Sequence, residues 1–140
     1  MIEINGVAHT FLTVKNFSQA REFYRQLLPF LGMTEVMDNE YSYYCVGART
    51  GVGLRPAENE GALPRFDQSH IGLHHLCFRA RAREDVDTLY EMLTGIEAKI
   101  VHPPQEDGFA PGYYSVLFED PEGIRLELNF VPGKGLLDVQ

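Results

Sequence analysis

Gly72-Leu73-His74-His75-Leu76-Cys77-Phe78-Arg79-Ala80 has an earlier counterpart, Gly6-Val7-Ala8-His9-Thr10-Phe11-Leu12-Thr13-Val14, and the match between them decides the fold. Gly6 aligns with Gly72 and His9 with His75, an offset of 75 minus 9, or 66. The offset continues into a helical pattern, where Ala20 meets Val86, Phe23 meets Leu89, Tyr24 meets Tyr90 and Leu27 meets Leu93. Small insertions then raise it, to 70 for Tyr43-Tyr44 against Tyr113-Tyr114 and to 72 for Gly51 and Leu54 against Gly123 and Leu126. The chain therefore reads as two copies of one unit: a strand, a helix and three more strands.

The periodicities fill in that unit. Residues 6–14 alternate with the period of a strand, and Ala20, Phe23, Tyr24, Leu27, Leu28 and Leu31 recur at the spacing of one buried helical stripe. Asn16 or Ser18 can cap this helix, and Pro29, which lacks an N–H, should end it near Leu28. Met33–Met37, Tyr41–Val46 and Gly51–Leu54 read as three antiparallel strands joined by tight connections. The second unit repeats the plan with a strand at Leu73–Ala80, a helix from about Glu84 that breaks at Gly95, and strands at Ala98–His102, Tyr113–Glu119 and Ile124–Phe130. Residues 103–112 are too polar and proline-broken for a regular element and suggest a lid. The expected boundaries are a first module at 1–55, a linker at 56–71, a second module at 72–131 and a loose tail at 132–140.

Composition narrows the partners. The 140 residues, 44% hydrophobic and 23% charged, suit one compact domain or two half-size modules. A net charge of −8 argues against nucleic acid or an anionic membrane, since both require clustered Lys and Arg, and leaves a small molecule as the expected partner. No apolar run reaches membrane-spanning length, and the start Met-Ile-Glu-Ile-Asn-Gly lacks the build of a signal peptide, so a cytoplasmic location is expected by default. Cys45 and Cys77 are expected to be free thiols.

Parity points to chemistry. In the last strand Ile124, Leu126, Leu128 and Phe130 alternate with Arg125, Glu127 and Asn129, so Glu127 turns away from the apolar face. The same choice turns His75, Cys77 and Arg79 inward in the second unit and His9 inward in the first. Two imidazoles and one carboxylate suit a divalent transition metal and leave coordination positions open. Each residue alone could be an ordinary strand residue, but recurrence of histidine at one module position has no packing rationale that Leu or Val would not serve better.

These features resemble the vicinal oxygen chelate superfamily, which includes glyoxalase I, fosfomycin resistance proteins, extradiol dioxygenases and bleomycin-binding proteins. The resemblance covers about residues 6–131. It is carried by the twofold repeat, Val7-Ala8-His9, Leu73-His74-His75, Phe23-Tyr24 and the ending Phe118-Glu119-Asp120-Pro121-Glu122-Gly123-Ile124-Arg125-Leu126-Glu127-Leu128. It implies an α+β fold of two βαβββ modules in a paired, partly open mixed β-sheet barrel with helices on the convex face. It carries metal-ligand roles onto His9, His75 and Glu127, with Glu127 also a candidate catalytic base. The remaining ligand position aligns by the offset of 72 with Arg55, which is no metal ligand but could hold a substrate carboxylate or phosphonate. Tyr43, Phe109, Tyr113 and Cys77 are candidate pocket residues, whereas His74, His70 and His102 are expected outside the site.

The resulting expectation is a metal-dependent enzyme of glyoxalase, fosfomycin-resistance or dioxygenase type. A divalent cation (Mn, Ni, Zn or Fe) would chelate vicinal oxygens of a small substrate and stabilise an anionic intermediate. Lyase or transferase chemistry fits a chain of this length better than extradiol cleavage, and the rival from another class is a non-catalytic ligand-sequestering protein. The resemblance also implies a homodimer.

Overall fold

The computed structural model describes residues 1–59 and 63–138, so residues 60–62 of the expected linker and 139–140 of the expected tail lie outside the described residues. The chain divides into two units, Met1–Pro64 and Arg65–Gln140. Unit 1 contains β1 (His9–Val14), α1 (Phe17–Phe30), β2 (Thr34–Asp38), β3 (Tyr43–Gly47) and β4 (Thr50–Pro56). Unit 2 contains β5 (Leu76–Arg79), α2 (Glu84–Gly95), β6 (Lys99–Glu106), β7 (Tyr114–Glu119) and β8 (Arg125–Phe130), followed by a 3-10 turn at Gly135–Leu137. Each unit is an open four-stranded mixed sheet, ordered β1-β4-β3-β2 and β5-β8-β7-β6. In each, the first strand runs parallel to the last and the other pairs are antiparallel. This is the α+β, twofold βαβββ architecture that the repeat predicts.

One helix covers one face of each sheet. In α1 the buried side chains are Ala20, Phe23, Tyr24, Leu27 and Leu28, and in α2 they are Val86, Leu89 and Leu93. The offset of 66 relates Ala20, Phe23 and Leu27 to Val86, Leu89 and Leu93, so the repeat is a repeat of cores. Asn16 caps α1 by accepting a hydrogen bond from the Gln19 amide at 3.1 Å.

Pro29 does not stop α1 at Leu28, because in the last turn its missing N–H costs a single bond. The helix continues to Phe30 and closes through Gly32 N–H to Pro29 O and Met33 N–H to Leu28 O, with Gly32 in the left-handed region at φ +80°. Helix α2 closes through the matching pair, Glu97 N–H to Thr94 O and Ala98 N–H to Leu93 O, but here Glu97 takes the left-handed position at φ +57°.

A second departure is β6, which runs through Pro103 and Pro104 to Glu106 instead of ending at His102. It is an edge strand, and its pairing with β7 skips both prolines in a register shift between His102 and Gln105. The missing amide donors therefore fall where the ladder asks for none. Among the described residues no helix is long and apolar enough to cross a membrane.

Candidate functional site

The last turn of unit 2 sets the site's register. Asp120 is buried, and its Oδ1 accepts from the Glu122 and Ile124 amides, both at 2.8 Å. Gly123 closes the turn at φ +87°. Strand β8 leaves this turn with Leu126 and Leu128 under α2 and with Arg125 and Glu127 on the uncovered face.

Register then fixes rows of neighbours across that face. Lys99, Glu119 and Arg125 form one row; His102, Leu117, Glu127 and Cys77 the next; Gln105, Ser115, Asn129 and Arg79 a third. His75, one residue ahead of β5, reaches the middle of this array. Its Nε2 lies 3.4 Å from Glu127 Oε2. A cavity of about 520 Å³ opens above, within the usual size of small-molecule sites, lined among others by His74, His75, His102, Phe109, Tyr113 and Glu127.

Glu127 is buried and held from one side: the Tyr113 hydroxyl donates a short hydrogen bond to its Oε1, leaving Oε2 toward His75. Burial, then this bond to a carboxylate, pushes the Tyr113 hydroxyl above its ordinary pKa, so it remains a donor. The imidazole of His75 is held in the same manner, with its Nδ1 2.8 Å from His74 Nδ1. One of those nitrogens donates and the other accepts. With His75 as donor, its Nε2 carries a lone pair toward Glu127.

Cys77, exposed on that face, sits beside Glu127 in the row, and local crowding followed by the neighbouring negative charge pushes its thiol above its ordinary pKa. It is a neutral thiol in the physiological range rather than a nucleophile. The hydroxyl of Ser115 is buried without a hydrogen-bond partner among the described residues and belongs to the cavity wall.

Does this chemistry fit the divalent cation that the sequence implies? Two donors about 2.1 Å from one ion, at angles of roughly 90–110°, stand about 3.0–3.4 Å apart. The His75–Glu127 pair has this separation, presents nitrogen and oxygen, and has each remote atom already engaged. The pair fits as adjacent ligands with outer partners in place. Among the described residues no group of three or more His, Cys, Asp or Glu gathers around a single point. His9 belongs to unit 1, where its ring lies edge-on to Phe11 at 5.7 Å.

Other expected site residues are placed as follows. Phe109 and Tyr113 line the cavity and meet edge to face at 5.4 Å. Tyr43 does not line an open face: it is fully buried in the unit 1 core, hydrogen-bonded to the Cys45 thiol. Its neighbour Tyr44 stands instead on the uncovered face, stacked on Phe11 at 5.3 Å.

Arg55 is also mispaired in the sequence alignment. Glu127 pairs with Cys77, which corresponds to Phe11 by the offset of 66, and Phe11 pairs with Gly53. The position matching Glu127 is thus Gly53, at an offset of 127 minus 53, or 74, while Arg55 matches Asn129. Arg55 extends its guanidinium over the Phe11 ring at 5.2 Å. His74 and His102, set aside in the sequence, both line the cavity. A register shift in β6 reverses parity for His102, and no sequence signal announces it.

The family is now identifiable. The chain matches the Glyoxalase/Bleomycin resistance protein/Dioxygenase superfamily over residues 6–128, and it belongs to that family. It is 28% identical over 122 residues to the uncharacterized protein YqjT of Bacillus subtilis (strain 168), covering 86% of this chain and 94% of that one. A Bacillus halodurans structure provisionally described as a glyoxalase superposes with a TM-score of 0.79 at 26% identity, covering 91% of this chain and 96% of that one. The fosfomycin resistance protein FosX from Listeria monocytogenes shares the fold with a TM-score of 0.66 at 17% identity, covering 92% and 95%.

Proposed function

We propose that the protein is a metal-dependent enzyme of the glyoxalase and fosfomycin-resistance type, acting on a small molecule with vicinal oxygens. The observation that carries this reading is the His75 Nε2–Glu127 Oε2 pair at 3.4 Å, each side chain fixed from behind, on the wall of a cavity of small-molecule size. His75 and Glu127 would hold a divalent cation together with His9, whose assignment rests on the repeat and the family resemblance. Bound there, the ion would polarise both oxygens of the substrate and stabilise the charge that develops on them.

The chain's own contribution is preorganisation. Tyr113 holds Glu127 by one oxygen, so the other is aimed, and Phe109 packs against Tyr113 in the cavity lining.

Metal content and affinity of the full chain after reconstitution with Mn, Ni, Zn or Fe test the reading. One equivalent should bind. Glu127→Gln and His9→Ala should each lose at least about a hundredfold in affinity, and Tyr113→Phe about ten- to a hundredfold, with the fold retained. A wild-type chain that binds none of these ions, or a Glu127→Gln chain that binds them at full strength, would leave a ligand-sequestering protein as the better description.

A further inference from the structure

The cavity of unit 2 has a cationic corner that the metal reading leaves unused. Glu119 is buried, yet three cations converge on it: Lys99 Nζ at 2.9 Å, Arg125 Nε at 3.0 Å and Arg65 at 3.4 Å. One carboxylate cannot balance three positive charges, so the cluster carries an excess of two in a chain whose net charge is −8. Lys99 and Arg65 are exposed and water screens them.

Arg125 differs. Its side chain is 26% exposed and lines the cavity, and its one bond to protein among the described residues uses Nε. Glu119 thus anchors the guanidinium from the side while both terminal nitrogens keep their N–H groups unspent. A planar fork of this kind matches the paired oxygens of a carboxylate or phosphate.

The remaining charged groups sharpen the placement. Glu127 and Asp107 also line the cavity and would repel an anion, so the cavity is polarised with Arg125 as its attractive end. Arg125 and Glu127 are two residues apart on one face of β8, about 6.6 Å along the strand. A single small molecule can span them.

We propose that the ligand of this cavity carries an oxyanionic group, a carboxylate or a phosphate or phosphonate, that docks edge-on against Arg125 a few bonds from the part of the molecule held near Glu127. The inference rests on reading this cavity as the substrate site, and it adds the substrate class and the residue that selects it.

Because Arg125 can be probed without any cation, the test uses metal-free full-length protein. Inorganic phosphate and, separately, acetate are titrated while the Arg Nε–Hε resonances are followed by NMR. The expected result is saturable binding that moves the Arg125 resonance, weakened at least about tenfold in Arg125→Gln. Arg125→Lys keeps the charge and the fold but not the fork, and should fall between the two. Arg65→Gln should stay within about twofold of wild type, since its own charge is exposed and screened. The tighter probe names the group. Absence of saturable binding, wild-type affinity in Arg125→Gln, or equal losses in Arg65→Gln and Arg125→Gln would each overturn the proposal, the last by reducing it to a surface field. Loss of metal binding with phosphate binding intact would instead sink the cation reading alone.

Discussion

The uncovered faces of the two sheets begin from the same scaffold and end with opposite contents. His9 in unit 1 matches His75 in unit 2, but Phe11 stands where Cys77 does, Gly51 where Arg125 does, Gly53 where Glu127 does and Tyr44 where Leu117 does. In unit 1 the rings of Phe11 and Tyr44 fold down over the glycines. A Cβ on Gly53 would come within 2.3 Å of the Phe11 ring, and one on Gly51 within 2.1 Å of the Tyr44 hydroxyl. Unit 1 fills its own face with aromatic carbon, and unit 2 leaves donors standing around a cavity. A duplicated fold can therefore keep its core repeat strictly while the two open faces diverge, because the face residues answer to each other and not to the helix.

The largest effect on this comparison should come from Gly53. Gly53→Val forces the Phe11 ring off the sheet and is expected to cost about 1–3 kcal/mol in chemical denaturation. Phe11→Ala in the same chain should recover most of that loss. A double-mutant cycle with no coupling would show that the ring does not depend on the glycine.

The next effect belongs to unit 2, which gathers charge where unit 1 has Val46 in the equivalent row. Burial alone would raise the Glu119 carboxyl, but the hydrogen bonds and charges of Lys99 and Arg125 outweigh it and hold it below its ordinary 4.5. A depressed carboxyl stabilises the fold above 4.5 and loses that contribution as pH falls through the lowered value. Glu119→Gln should cost about 1–3 kcal/mol at neutral pH by leaving cations unpaired, and should flatten the acid limb of the stability curve measured against wild type. An unchanged acid limb would remove Glu119 from the comparison.

The smallest effect concerns the two helix ends. Gly32 takes the left-handed position without strain, whereas Glu97 takes the same one with a side chain. Glu97→Gly should raise stability by up to about 1 kcal/mol, read as a rise of a few degrees in thermal midpoint, and the reverse change Gly32→Glu should lower it.

Residue patterns made some of this legible and hid the rest for identifiable reasons. The helix stripe and the parity of Glu127 were readable because each depends on local periodicity, whereas the expected strand at Leu73–Ala80 begins only at Leu76 and leaves His75 just ahead of it. The pairing of Gly53 with Phe11 was not readable. A register shift in β2 between Glu35 and Met37, and two more in β6, change residue counts without changing composition, so matching Tyr43-Tyr44 to Tyr113-Tyr114 by letter gave the wrong offset. Tyr43, expected in the pocket, thus lies in the core, and His102, expected outside the site, lines the cavity. The hold of His74 on His75 was equally hidden, since it joins adjacent residues whose backbone is not a regular strand.

The proline pair in β6 has a consequence for assembly. Successive amides of a strand point to opposite sides, and since both prolines fall in the shift where β7 asks for no donor, the donor that one of them lacks on the other side is missing from the free edge of β6. A foreign strand laid against that border would meet a gap in its ladder at that point. Covalent structure, and not only charge, thus blunts this rim against sheet extension and steers any self-association to other parts of the surface.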